Sequence, residues 1–134
     1  MSFLTIALMD DAALMGRIDS TYTPQFAHAF RGYLLMAAGQ YVSGAHMLNI
    51  VDPAVSVEAQ RRINEAAQVG AFGFDAVTGR AYLEARVRYH NDQHAQQILN
   101  EAAQYGKLGF NDETGRAYLE ARIRHGDQDV QKRF

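Results

Sequence analysis

Two hydrophobic periods run along this chain. Over the first 54 positions the period is helical. Phe3, Ile6, Ala7 and Leu14 predict a first helix reaching about Ile18, with Asp10 and Asp11 turned to solvent. Residues 20–24 read as a turn, in which Thr23 is held extended by Pro24. Phe26, Phe30, Tyr33 and Leu34 predict a second helix from about Gln25 to Gln40. The pattern alone leaves open whether Val42 to Val51 prolongs it or follows a turn at Gly39 or Gly44.

The remainder is dominated by an internal duplication. Residues 63–88 (INEAAQVGAFGFDAVTGRAYLEARVR) align with residues 99–124 (LNEAAQYGKLGFNDETGRAYLEARIR) at an offset of 36, with 18 of 26 positions identical. A fixed period of this size points to stacked supersecondary units. Each unit opens on a helix. In the second copy Asp92 is a candidate N-cap, Ala95, Ile98, Leu99, Ala102 and Ala103 follow at helical spacing, and Gly106 suits a left-handed C-cap. Asp52-Pro53 opens the equivalent helix of the first copy, and Gly70 ends it.

The second half of each unit shows the other period. In RAYLEARVRY, Ala81, Leu83, Ala85, Val87 and Tyr89 alternate with Arg80, Tyr82, Glu84, Arg86 and Arg88, which is the signature of a half-buried strand. DAVTG and NDETG then read as hairpin turns with the Gly in a left-handed bulge position, and the alternating glycines of Gly-x-Phe-Gly-Phe and Gly-x-Leu-Gly-Phe as bulges or tight packing. Strands are expected near 71–74 and 80–89, and near 107–110 and 116–124. The sum is an α+β fold: a helical part over 1–54, then two helix-plus-hairpin units (55–90 and 91–126) and a short tail, packed as one domain over 55–134. The alternative is all-α. With both halves helical, the period of 36 and the Ala95/Leu99/Ala102 spacing resemble a tetratricopeptide- or Sel1-type helical pair, although Arg86 stands where such a pair has an aromatic and no Pro closes the unit. Two copies are fewer than a free-standing stack requires, so the N-terminal part or another chain must cover an end.

Composition narrows the class. Apolar residues are 48% and charged residues 21% of the 134, a folded rather than disordered profile. With no Cys there are no disulfides, thiolate metal sites or cysteine nucleophiles. Arg supplies 11 of 13 basic residues and Ala 21 positions, a bias of GC-rich bacterial or phage coding. The net charge of −2 argues against a basic nucleic-acid coat, and the charge is concentrated beyond Val55, where basic and acidic residues number eleven each. The N-terminus lacks the basic region of a signal peptide. Gly32–Val51 is apolar, but Gln40, Ser43, His46 and Asn49 disqualify it as a membrane span. A cytoplasmic or virion location with no membrane partner is expected.

Candidate chemistry is sparse. His90 and His94 have ligand-like spacing, but Asn91-Asp92 separates them as a break between elements, so no metal is assigned. His28 and His46 lie in apolar surroundings as core or interface residues. No nucleophile elbow, phosphate-binding loop or isolated carboxylate pair is present, so neither an enzyme nor a cofactor is expected. Asn64 and Asn100 are candidates to tie their helix to the neighbouring hairpin. The best candidate surface is the repeated outward face of Arg80, Tyr82, Arg86 and Arg88 with Arg116, Tyr118, Arg122 and Arg124. Together with Met9, Met15, Met36 and Met47 in the apolar N-terminal part, it suggests a non-enzymatic protein–protein assembly or adaptor protein. Such a protein would be a homo-oligomer or a subunit of a larger bacterial or virion structure. The alternative is nucleic-acid binding through the same Arg/Tyr face. On either reading, Arg86→Glu with Arg122→Glu abolishes the interaction and leaves the monomer folded.

Overall fold

A computed structural model describes residues 2–18 and 23–133 and is helical throughout. Its nine helices among the described residues are α1 (Phe3–Ala7), α2 (Asp11–Ile18), α3 (Pro24–Ala37), α4 (Tyr41–Leu48), α5 (Pro53–Val69), α6 (Ala76–His90), α7 (Gln93–Tyr105), α8 (Asp112–Arg124) and α9 (Gln128–Arg133). They divide into two compact units, residues 1–66 and 67–134.

The α+β expectation is overturned: no strand exists among the described residues, and the segments assigned to strands belong to the loops before α6 and α8 and to those helices themselves. DAVT and NDET are helix starts rather than hairpin turns. Asp75 and Asn111 are extended N-caps whose side chains accept the N–H of Thr78 and Thr114 at 2.8 Å, while each Thr hydroxyl accepts the cap residue's own N–H at 2.9 Å. This reciprocal capping box satisfies two otherwise orphaned donors. In the loops that lead into α6 and α8 the left-handed glycines are Gly70, Gly73, Gly106 and Gly109, whereas Gly79 and Gly115 are helical.

Alternation misled because it counted Tyr and Arg as outward residues. The buried stripe of α6 is Gly79, Tyr82, Leu83 and Arg86, spaced i, i+3, i+4, i+7, as a helix packed on one side demands. Of the five residues expected on the inner strand face only Leu83 is buried; Ala81 is exposed and Tyr89 is 72% exposed. The Tyr82 ring is sheltered by Phe74 at 5.4 Å between centroids, and Tyr118 by Phe110 at 5.1 Å, both tilted.

What brings the helices close enough for this is the absence of a side chain. A Cβ on Gly79 would meet the Ala67 carbonyl oxygen of α5, and one on Gly115 the Ala103 carbonyl of α7, each closer than 3.0 Å. The N-terminal unit repeats the device, with Gly44 of α4 against the Gly32 carbonyl of α3. In all three hairpins the contact joins residues twelve apart, and the glycine is the fourth residue of its helix. The duplicated hairpins therefore share their crossing geometry with a third, α3–α4, that the sequence identity does not mark.

In the N-terminal unit the expected first helix is two, α1 and α2, broken at residues 8–10. Arg31 of α3 bridges the break, donating to the Ala7 and Met9 carbonyls at 2.8 Å and pairing with Asp11 at 2.9 Å. α3 begins at an N-cap, Thr23, and ends before Gly39 at φ +87, so Tyr41–Leu48 forms its own helix; residues 20–22 of the expected turn lie outside the described residues. Phe26, Phe30, Tyr33 and Leu34 are buried as expected. In the C-terminal unit α7 is central, packing against α6, α8 and α9. No helix among the described residues is long and apolar enough to cross a membrane.

The crossing makes a sharp prediction. Gly115→Ala drives a methyl group into backbone and is expected to lower stability by about 3 kcal/mol. Gly16→Ala, in α2 with nothing within 4 Å, is expected to be neutral or stabilising by up to about 1 kcal/mol. Urea unfolding of both variants measures this, and equal effects would show that the crossing does not need glycine.

Candidate functional site

The eight residues proposed from sequence as one face do not share a surface. Arg86 is 8% exposed, and its Nε lies 3.3 Å from Asp92 Oδ2. Asp92 is at the same time the N-cap of α7, its Oδ1 accepting the Ala95 N–H at 3.1 Å. The clasp recurs one unit later: Arg122 Nε meets Asp127 Oδ2 at 3.0 Å, and Asp127 Oδ1 accepts the Val130 N–H at the start of α9 at 3.2 Å. Each clasp thus fastens one helix to the N-terminus of the next, where a carboxylate is also favoured by the helix dipole. Arg86 and Arg122 are structural, and the expectation that both accept Glu without unfolding is withdrawn on that geometry. Tyr82 is buried, so it cannot serve as an exposed aromatic on a binding face.

Beneath the second clasp lies a polar network that sequence reasoning glimpsed only through Asn100. That residue is fully buried, and its Nδ2 donates to Asp127 Oδ2 at 3.1 Å and Asp129 Oδ2 at 3.0 Å, tying α7 to α9. Gln96 Nε2 donates to Asn100 Oδ1 at 2.9 Å and to the Tyr118 hydroxyl at 2.8 Å, tying α7 to α8. Gln96 and Asp127 carry no motif. Only the i, i+4 spacing of Gln96 and Asn100 on one helix face hinted at their partnership. Burial pushes the Tyr118 phenol above its ordinary pKa, although the bond from Gln96 and the charge of Arg122 oppose the shift. For Asp127 burial also works against the charged form, but the bonds from Asn100, Arg122 and the Val130 N–H outweigh it and hold the carboxyl below 3.8.

Three of the eight, Arg88, Tyr118 and Arg122, do come together. They line a groove of about 330 Å3 between α6 and α8. One wall is Glu84, Val87 and Arg88 of α6; the other is Tyr118, Ala121 and Arg122 of α8 with its C-cap His125; Gln96 and Leu99 of α7 form the floor. The floor is tied down by the Gln96 network and the Arg122 clasp. The rim is not: Arg88 and His125 are exposed, and neither makes an ion pair among the described residues.

The remaining arginines separate the two copies. Arg80 pairs with Glu84 at 2.8 Å, and its guanidinium lies 3.8 Å from the centroid of the Phe110 ring, a cation–π contact between consecutive units. There α6 contributes Ala76, Val77, Arg80, Ala81 and Glu84 to a depression completed by Leu108 and Gly109. Thirty-six residues on, Asp112, Glu113, Arg116, Ala117 and Glu120 line the same depression on α8 alone, and Arg116 is exposed, as is Arg124.

His90 ends α6 and His94 lies in α7, with left-handed Asn91 between, so the pair does not share a helix face. Among the described residues no three His, Asp or Glu side chains form a cluster able to hold a metal. His28 is half-buried in α3 and His46 is exposed on α4. No protein-family model, no curated protein and no solved structure matches this chain.

Two predictions follow from the clasps. Arg86→Glu sets a carboxylate against buried Asp92 and is expected to cost about 3–5 kcal/mol, against less than about 0.5 for Arg88→Glu on the open rim, both read by urea unfolding. Asp127 binds its proton more weakly when folded than when unfolded. It therefore stabilises the fold above pH 3.8, and this contribution is lost as pH falls through that value toward the lower folded pKa. Thermal melts across that range should show a shallower acid limb for Asp127→Asn than for the parent, on a lower plateau near neutrality.

Proposed function

We propose that this chain is a non-enzymatic protein-interaction module, acting as an adaptor or as a subunit of a larger assembly, and that it receives an extended segment of a partner protein in the α6–α8 groove. The observation that carries the reading is the contrast within that groove between a fixed floor and an unpaired rim. Binding to a preorganised surface saves the ordering cost that weakens flexible sites. The volume, near the lower end of those that hold small molecules, suits one or two side chains of a peptide better than a whole cofactor. Antiparallel helix pairs that repeat at a fixed period also give extended surfaces of the kind used in protein recognition. Nucleic-acid binding relied on the repeated Arg/Tyr strand face, and with no strand among the described residues, Tyr82 and Arg86 buried and Tyr118 half-buried against Phe110, no observation favours it.

The test is a display library of random peptides selected on the full chain and, in parallel, on Ala121→Trp, which fills the groove from the α8 wall. Selected peptides should bind the parent and lose at least about tenfold in affinity on Ala121→Trp, roughly the 1.4 kcal/mol that one blocked anchor represents. Failure to select any peptide, or equal binding to the two proteins, would remove the groove from the proposal.

A further inference from the structure

Resting on the reading of the groove as a peptide site, we infer that it selects acidic segments: it is a receptor for an extended stretch carrying Asp or Glu beside a small aliphatic residue. The charge balance at the rim favours such a segment. One acid lines the groove, Glu84, and it is already engaged by Arg80 at 2.8 Å. Asp127, just beneath, is engaged by Arg122 at 3.0 Å and by Asn100 at 3.1 Å. Once these pairs are struck, the charge that remains at the opening is the guanidinium of Arg88 from α6, with the His125 imidazole at the C-cap of α8 across from it.

An entering carboxylate would find Arg88 without a competitor among the described residues, and guanidinium–carboxylate bonds are charge-assisted and among the stronger hydrogen bonds. A Lys or Arg in that place would meet an unpaired like charge, which is how a rim rejects wrong partners. Between the walls, Val87 and Ala121 offer an apolar strip over buried Leu99 that suits a small aliphatic side chain. The first copy shows that such arginines are otherwise satisfied. Arg80 has both a carboxylate and an aromatic ring, and Arg86 has Asp92. Arg88 is the arginine on α6 that the fold leaves uncommitted.

Three peptide libraries with the same Val, Leu and Ala positions, and with the others biased to Asp/Glu, to Lys/Arg or to Ser/Gln, separate this inference from the reading beneath it. Selection is made on the full-length chain, on Arg88→Glu and on Ala121→Trp, and affinities are read by fluorescence polarisation at low and high salt. The acidic library should win on the parent. Its best peptides should weaken about tenfold on Arg88→Glu and weaken with added salt, as a partly exposed ion pair requires. Arg88→Lys should recover part of the loss, because it restores the charge without the planar fork. Winners from the basic or neutral library that Ala121→Trp abolishes would overturn the acidic preference and leave the peptide site standing. Winners from any library that bind Ala121→Trp unchanged, or no winners at all, would overturn both.

Discussion

The fold rests on backbone touching backbone. At Gly79 and Ala67, at Gly115 and Ala103, and at Gly44 and Gly32, a helix without a side chain lies against a carbonyl of the helix before it. That contact fixes depth and register together. Once the fourth residue of α6 is pressed on α5, the positions three, four and seven further along must face inward, whatever their side chains are. Here they are Tyr82, Leu83 and Arg86. A crossing held only by interdigitating aliphatic side chains would tolerate sliding; one seated on a glycine does not.

Polar burial follows from that constraint. Arg86 is carried into the interior by its position on the stripe, and Asp92 meets it there. The same carboxylate caps α7, so one side chain neutralises a buried cation and starts the next helix. The second unit repeats the arrangement through Arg122 and Asp127, although the Arg-to-Asp spacing is one residue shorter and Gly126 takes the left-handed role of Asn91. Preserving the Arg–Asp contact across that change of spacing marks it as part of the repeat's construction.

Near-identical copies nevertheless face different surroundings. The outward surface of α6 carries Ala76 and Val77 and is partly covered by the loop bearing Leu108 and Phe110; that of α8 carries Asp112 and Glu113 in the first helical turn. Acids there suit the helix dipole and keep an uncovered repeat face solvated. The groove between α6 and α8 has its base tied to both α8 and α9 by the Gln96–Asn100 network, and the functional reading attaches to that groove.

By itself the sequence determined the period, the duplicated boundaries, the helix opened by Asp92 and closed by Gly106, and the absence of any recognisable catalytic motif, because these depend on identity and on partners a few residues away. It also held the capping boxes of DAVT and NDET, which hairpin chemistry could imitate. Tertiary structure alone decided that RAYLEAR is a helix and which of its arginines is free. Tyr82 and Arg86 look like solvent residues until Phe74 and Asp92 come to them, and their burial is a property of the helix crossing rather than of their own polarity. Arg86 and Arg88 cannot be told apart by type, spacing or repeat position. A rotation of about 200° around α6 separates a buried structural cation from an exposed one, and only the packed glycine says which way the helix is turned.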